Sequence, residues 1–180
     1  MELTGTKIIH APRNVVWKAL NSAETLKEAV PGCTEMAGSA SEGFKATVVQ
    51  KVGPVKATFK GKVTLSDVVD QQSYRIDGEG TGGAAGFASG GADVSLADHP
   101  EGTELTYNAT AKVGGKLAQL GSRLIDNVAG KMADQFFANF KEAVEGDPTE
   151  VAESATPHEM TEDPREPPAE KKGFLKRIFG

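Results

Sequence analysis

The stretch AKVGGKLAQLGSRLIDNVAGKMADQFFANF, residues 111–140, changes its hydrophobic period midway, and that change decides the fold. Up to Val113 apolar residues alternate, as in a strand with one dry face. Beyond Gly114-Gly115, the residues Leu117, Leu120, Leu124, Val128, Met132, Phe136 and Phe140 recur at spacings of three and four, the stripe of an amphipathic helix. Continued to Val144, this helix is expected to run for about 30 residues, or ~45 Å.

Upstream the period is two. In 44–52 the apolar Phe44, Ala46, Val48 and Val52 share a face and Lys45 and Lys51 take the other. In 55–65 Val55, Ala57, Phe59, Val63 and Leu65 oppose Lys56, Lys60 and Lys62. In 103–113 Leu105, Tyr107, Ala109, Ala111 and Val113 oppose Glu104, Asn108 and Lys112. One-sided strands of this kind form an antiparallel sheet with one wet face. Weaker strands fit 33–40, 72–80 and 87–97, and residues 2–9 read as a first strand. Pro12 suits the first turn of a helix to about Leu20. Ser22 is placed to cap a second short helix that stops before Pro31-Gly32. The predicted fold class is α+β: a curved antiparallel sheet of about seven strands around a long C-terminal helix, with two short helices after the first strand. That is the helix-grip arrangement.

Charge divides the chain differently. Residues 1–144 carry 15 Lys/Arg against 16 Asp/Glu, whereas 145–170 carry nine acids and one cation, Arg165. The body lacks the basic face of a nucleic-acid binder, so no nucleic-acid partner is expected. Residues 146–170 hold five prolines and no aromatic residue and are expected to be a disordered acidic tether, with a reach of roughly 30 Å as a flexible coil. The folded domain is assigned to 1–145. No stretch approaches the ~20 apolar residues of a membrane span. The start, MELTGTKIIH, has neither the basic nor the apolar region of a signal peptide. With Cys33 as the single cysteine, a cytoplasmic location is expected.

The last ten residues, KKGFLKRIFG, are both basic and apolar. As a helix, Phe174, Leu175, Ile178 and Phe179 form one face, flanked by Lys171, Lys172, Lys176 and Arg177. This is the pattern of a short interfacial membrane helix. Each cation near an anionic leaflet contributes ~1 kcal/mol, which makes a reversible anchor. The competing reading is a peptide that docks in a partner protein's groove.

Catalytic patterns are missing. His10, His99 and His158 are scattered, no metal-ligand spacing appears, and no serine lies in a G-x-S-x-G context. GEGTGG (78–83) has the G-x-G-x-x-G spacing, but a strand rather than a helix is expected to follow it, which argues against a dinucleotide site. No enzyme activity and no metal are expected.

The inward face of the sheet is short of bulk: Ala46, Ala57, Gly61, Gly78, Gly90, Ala92, Ala109 and Ala111 fall on or near it. A packed core fills such positions with larger groups. A cavity is therefore expected, lined by Phe59, Val63, Tyr74, Ile76, Phe87, Tyr107, Leu117, Leu120, Leu124 and Val128, and such a cavity binds apolar small molecules. Tyr74 and Tyr107 either offer hydroxyls to a ligand or cap hydrogen bonds of the core. In a meander, Gly53-Pro54, Gly82–Phe87 and Gly114-Gly115 gather at one end, with Pro31-Gly32. They form either a mobile mouth or simply tight turns.

The stretches VGPVKATFKGKVTL (52–65), GEGTGGAAGFASGGADVSL (78–96) and the opening 111–140 segment resemble the carbon monoxide dehydrogenase G-subunit family, as do VVWKAL (15–20) and VPGC (30–33). That family is part of the START-like (SRPBCC) superfamily of helix-grip proteins. The resemblance covers residues 1–144 and implies an accessory protein that recruits a molybdenum-containing carbon monoxide dehydrogenase to the membrane. It also implies a cavity for lipids, sterols or similar molecules. Cavity, foot and partner together suggest a bound respiratory quinone, menaquinone or ubiquinone, at the inner face of the cell membrane, with cytoplasmic membrane lipids as a further partner. The alternatives are a recruitment adaptor without ligand transport and a lipid-binding protein serving another molybdenum hydroxylase.

Overall fold

The computed structural model describes residues 1–146. The expected acidic tether, beyond Gly146, and the expected terminal helix 171–180 lie outside the described residues. Seven strands form one antiparallel sheet: β1 (Glu2–Ile9), β2 (Cys33–Ser39), β3 (Gly43–Val52), β4 (Val55–Val69), β5 (Ser73–Thr81), β6 (Phe87–His99) and β7 (Gly102–Gly114). Their order is β1-β7-β6-β5-β4-β3-β2, a meander closed by β1 on β7. Two short helices, α1 (Arg13–Leu20) and α2 (Ala23–Ala29), separate β1 from β2, and α3 (Ser122–Glu145) follows the sheet. This is a helix-grip fold.

Period-two alternation becomes rows across the sheet. Phe44, Val63, Gly78, Gly90 and Ala111 are successive cross-strand partners, and this row faces α3. One residue along, Lys45, Lys62, Glu79, Ser89 and Lys112 make the neighbouring row on the outer face. The helix starts are chemically simple. The Pro12 carbonyl accepts from the amides of Val15 and Val16, and the Ser22 hydroxyl accepts from Thr25 N at 3.4 Å.

The long helix differs from expectation. It holds 24 residues, about 36 Å, and begins at Ser122 instead of near Gly115. Gly121 has φ +89° and ψ 147°, a backbone that breaks helical hydrogen bonding and that glycine adopts without strain. Ahead of it lies a separate 3-10 turn, Ala118–Leu120. Leu117 is buried there, and its amide donates outside any helix, to Ala85 O at 3.0 Å.

The solid core lies under the C-terminal half of α3. Phe140 is fully buried, and Phe137 and Val144 join it against Ile9, Val16, Leu20, Tyr74 and Leu105. The rings of Phe136 and Phe140 stack with centroids 5.8 Å apart. Each fully buried aromatic or aliphatic side chain contributes about 1.5–3 kcal/mol. Polar ties fix the helix end: Glu145 Oε1 accepts from His10 N at 2.8 Å, and Asn139 Nδ2 donates to Ala29 O at 3.1 Å. Thr103, fully buried, donates its hydroxyl to Ala11 O at 2.8 Å.

Candidate ligand-binding cavity

A hollow lies beneath α3 between Ile125 and Phe136. The inward face of the sheet is short of bulk there, with Ala46 and Gly61 at one part and Gly80, Ala88 and Ala111 at the other. Two apolar chambers result. The inner one, about 340 Å³, is walled by β3, β4 and β5, by Leu26 and Val30 from the α2 segment, and by Phe136 of α3. The outer one, about 300 Å³, lies between Val52, Gly80, Ala88 and Val113 of the sheet and Ile125, Val128 and Met132 of α3. Val30, Val48 and Phe59 belong to both walls. Phe59 is therefore the partition, and its ring lies against the backbone of Gly82.

Polar groups are scarce. Tyr74 is the one polar side chain in the wall of the inner chamber. It is 5% exposed, and its ring meets Trp17 edge-on with centroids 5.5 Å apart. Burial pushes its phenol well above the ordinary tyrosine range, so it remains a proton donor at neutral pH. In the outer chamber Gln50 is the polar side chain, and its Nε2 is committed to Pro31 O at 2.5 Å.

The structure sorts the expected lining residues. Phe59, Val63, Tyr74 and Ile76 line the inner chamber, and Leu117 and Val128, with Phe59, line the outer one. Tyr107 belongs to the core instead, stacked on Phe137 at 5.1 Å. Leu120, in the 3-10 turn, and Leu124, in the first turn of α3, are half-buried at the mouth, outside both walls. Phe87 is the clear correction. It is 54% exposed on the outer face, since it shares the parity of Ser89 and Asp93, whereas the buried Val94 and Leu96 share the other. Its ring covers Gly114. Lining residues not named in advance are Leu26 and Val30, whose place depends on where α2 docks, Ile125, and Met132, which sits on the inward stripe of α3.

The loops at the open end meet. Leu117 N donates to Ala85 O at 3.0 Å, and Gly82 N to Gly86 O at 2.8 Å. A Cβ built on Gly53 would lie 2.9 Å from Leu124 Cδ2. Gly32 O accepts from Val49 N at 2.9 Å, just behind this rim. The GEGTGG stretch runs from β5 into a 3-10 turn and then β6, so no helix N-terminus awaits a pyrophosphate there.

Other chemistry finds little support. Two wider depressions, about 740 and 940 Å³, lie on the outer face between charged side chains such as Lys60, Lys62 and Glu79. Burial pushes the Cys33 thiol up, which works against a nucleophilic role. Among the described residues no three His, Cys, Asp or Glu side chains form a metal-binding group, and no helix is long and apolar enough to cross a membrane.

Comparison with known proteins agrees with this architecture. Residues 5–145 match the family model for the carbon monoxide dehydrogenase G subunit, CoxG. Among solved structures, a conserved protein from Geobacillus kaustophilus is 24% identical with a TM-score of 0.75, over 81% of this chain and 96% of that one. A protein from Rhizobium leguminosarum is 15% identical with a TM-score of 0.63, over 82% of this chain and 95% of that one. A protein from Chromobacterium violaceum is 14% identical with a TM-score of 0.60, over 81% and 99%. At these identities the likeness is one of fold. No curated protein matches the sequence.

Proposed function

The chain belongs to the CoxG family of carbon monoxide dehydrogenase proteins, and we propose that it is a non-catalytic accessory protein of a molybdenum carbon monoxide dehydrogenase. In this reading it holds a respiratory quinone in the cavity beneath α3 and brings the enzyme to the inner face of the cytoplasmic membrane.

The observation that carries the ligand is the pair of apolar chambers with one hydroxyl between them. A quinone is a flat apolar ring with two carbonyl acceptors and a greasy tail. The inner chamber offers apolar walls and a single donor, Tyr74. The outer chamber offers apolar walls on the way to the mouth. Each has the size of a small-molecule site. Tyr107 is occupied in the core and has no part in this.

Support for recruitment is compositional. Residues 171–180 combine four cations with four large apolar side chains. That pattern favours an anionic lipid surface. The dehydrogenase as partner follows from the family.

Solvent extraction of the purified protein, followed by mass spectrometry, tests the ligand. A quinone near one equivalent per chain is expected. Protein that yields no quinone and takes up none on mixing reduces the role to recruitment alone. Removal of residues 171–180 is expected to weaken cosedimentation with anionic vesicles at least tenfold, and undiminished cosedimentation would contradict the anchor.

A further inference from the structure

The folded domain is electrically polar along the axis of α3. The mouth is built by residues 1–2, 51–56, 81–87 and 112–126. These contain five cations, Lys51, Lys56, Lys112, Lys116 and Arg123, against two acids, Glu2 and Asp126. The opposite end is built by residues 10–13, 39–43, 66–73, 97–104 and 141–146. These contain eight acids against two cations, Arg13 and Lys141.

At the far end Arg13 pairs with Asp98 at 3.3 Å, and His10 Nδ1 hydrogen-bonds with Glu145 Oε1 at 3.1 Å. At the mouth, none of the five cations has an ion pair among the described residues, and all five are exposed. Two of them are set against each other: Lys51 and Lys56 are direct cross-strand partners beside the Gly53-Pro54 turn. Like charges in that position oppose strand pairing unless a counter-charge is supplied. Arg123 adds a cation to the first turn of α3, where no acid offsets the positive end of the helix. Exposed apolar groups lie among these cations: Pro54, Ala84, Ala118 and the 54% exposed Phe87.

We propose that this rim is a docking surface for an anionic lipid bilayer, so that the cavity opens directly onto the membrane. The inference rests on the membrane reading above and adds a second contact, made by the domain itself. Cations would meet lipid headgroups, and Phe87 and Pro54 the interface below them. The acidic end is repelled, which fixes orientation. The chain permits both contacts on one bilayer. Twenty-four residues separate Gly146 from Lys171, an extended span of up to ~80 Å, more than the length of α3.

The test uses the full chain carrying Cys33→Ser and one further substitution: Ala84→Cys or Ala118→Cys at the rim, Ser41→Cys or Glu101→Cys at the far end. Each is labelled with an environment-sensitive fluorophore and mixed with vesicles of equal parts phosphatidylglycerol and phosphatidylcholine. Labels at 84 and 118 are expected to shift to the blue and gain protection from iodide, with those at 41 and 101 unchanged. The triple variant Lys51→Glu, Lys56→Glu, Lys116→Glu is expected to bind about a hundredfold more weakly, at about fivefold per cation. An unchanged circular dichroism melt establishes that it is folded. Vesicle binding with rim labels silent would overturn the docking surface and leave recruitment through 171–180 standing. No vesicle binding at all would overturn both. Rim labels that respond only when the dehydrogenase is added would reassign the surface to protein and overturn the lipid proposal.

Discussion

The ring of Phe59 rests on the backbone of Gly82: a Cβ built on that glycine would lie 2.5 Å from Cε1 and 2.8 Å from Cδ1 of the ring. Phe59 partitions the two chambers, so the glycine sets where the partition stands. Gly82→Val is expected to push the ring into the cavity. A short-chain naphthoquinone should then bind roughly tenfold more weakly, about 1.4 kcal/mol. A melting-temperature loss of a few degrees should accompany it. Unchanged affinity, read by fluorescence titration, would show that Phe59 does not border the ligand.

Gly80 offers a cleaner obstruction. A Cβ there meets nothing closer than Lys60 O at 3.5 Å, an ordinary contact. The residue lines the outer chamber. Gly80→Leu is expected to occupy that chamber and to reduce quinone affinity at least tenfold. Stability should hold or rise by up to ~1 kcal/mol, because glycine within a strand carries an entropic cost. Urea titration and ligand titration of the same sample separate the two effects.

Tyr74 predicts an alkaline limit. Its folded phenol titrates above the ordinary value, through burial. Above about pH 10 the unfolded chain releases this proton while the folded chain keeps it. Tyr74 thus contributes stability that is complete below about pH 10 and declines as pH rises further. Tyr74→Phe should flatten that decline in urea titrations run at increasing pH. A decline as steep in Tyr74→Phe would assign it to other groups.

Thr103 tests the frame apart from the cavity. Its buried hydroxyl donates to Ala11 O at 2.8 Å, joining β7 to the segment before α1. Thr103→Val leaves that carbonyl without its partner and is expected to cost about 1–3 kcal/mol in urea unfolding. Quinone affinity should be unaffected. A parallel loss of affinity would mean that the solid core and the hollow half are coupled.

The fold was legible because period carries it. Phe44 against Lys45 and Phe59 against Lys60 state which face of a strand is dry, and the switch after Gly114 announces a helix over that face. Where the helix begins was not legible. Leu117, Leu120 and Leu124 keep helical spacing across Gly121, and spacing does not reveal the +89° φ at which the helix breaks. The cavity was half legible. Undersized inward residues gave it away, and Phe59, Val63, Tyr74 and Ile76 followed from parity. Phe87 was misplaced although the same parity, counted back from Val94 and Leu96, puts it outside. Leu26 and Val30 needed tertiary knowledge, because the docking of α2 depends on contacts such as Asn139 to Ala29 rather than on local pattern.

Trp17, the single tryptophan, supplies the most direct test of the central claim, that the chambers beneath α3 hold a quinone. Its ring packs 5.5 Å from that of Tyr74, and a quinone hydrogen-bonded to Tyr74 would quench it. Titration of the full-length protein with a short-chain naphthoquinone should give saturable quenching of Trp17 at one equivalent per chain, weakened at least tenfold by Gly80→Leu. Quenching that rises linearly without saturation, equal in the protein and in Gly80→Leu, would contradict the account.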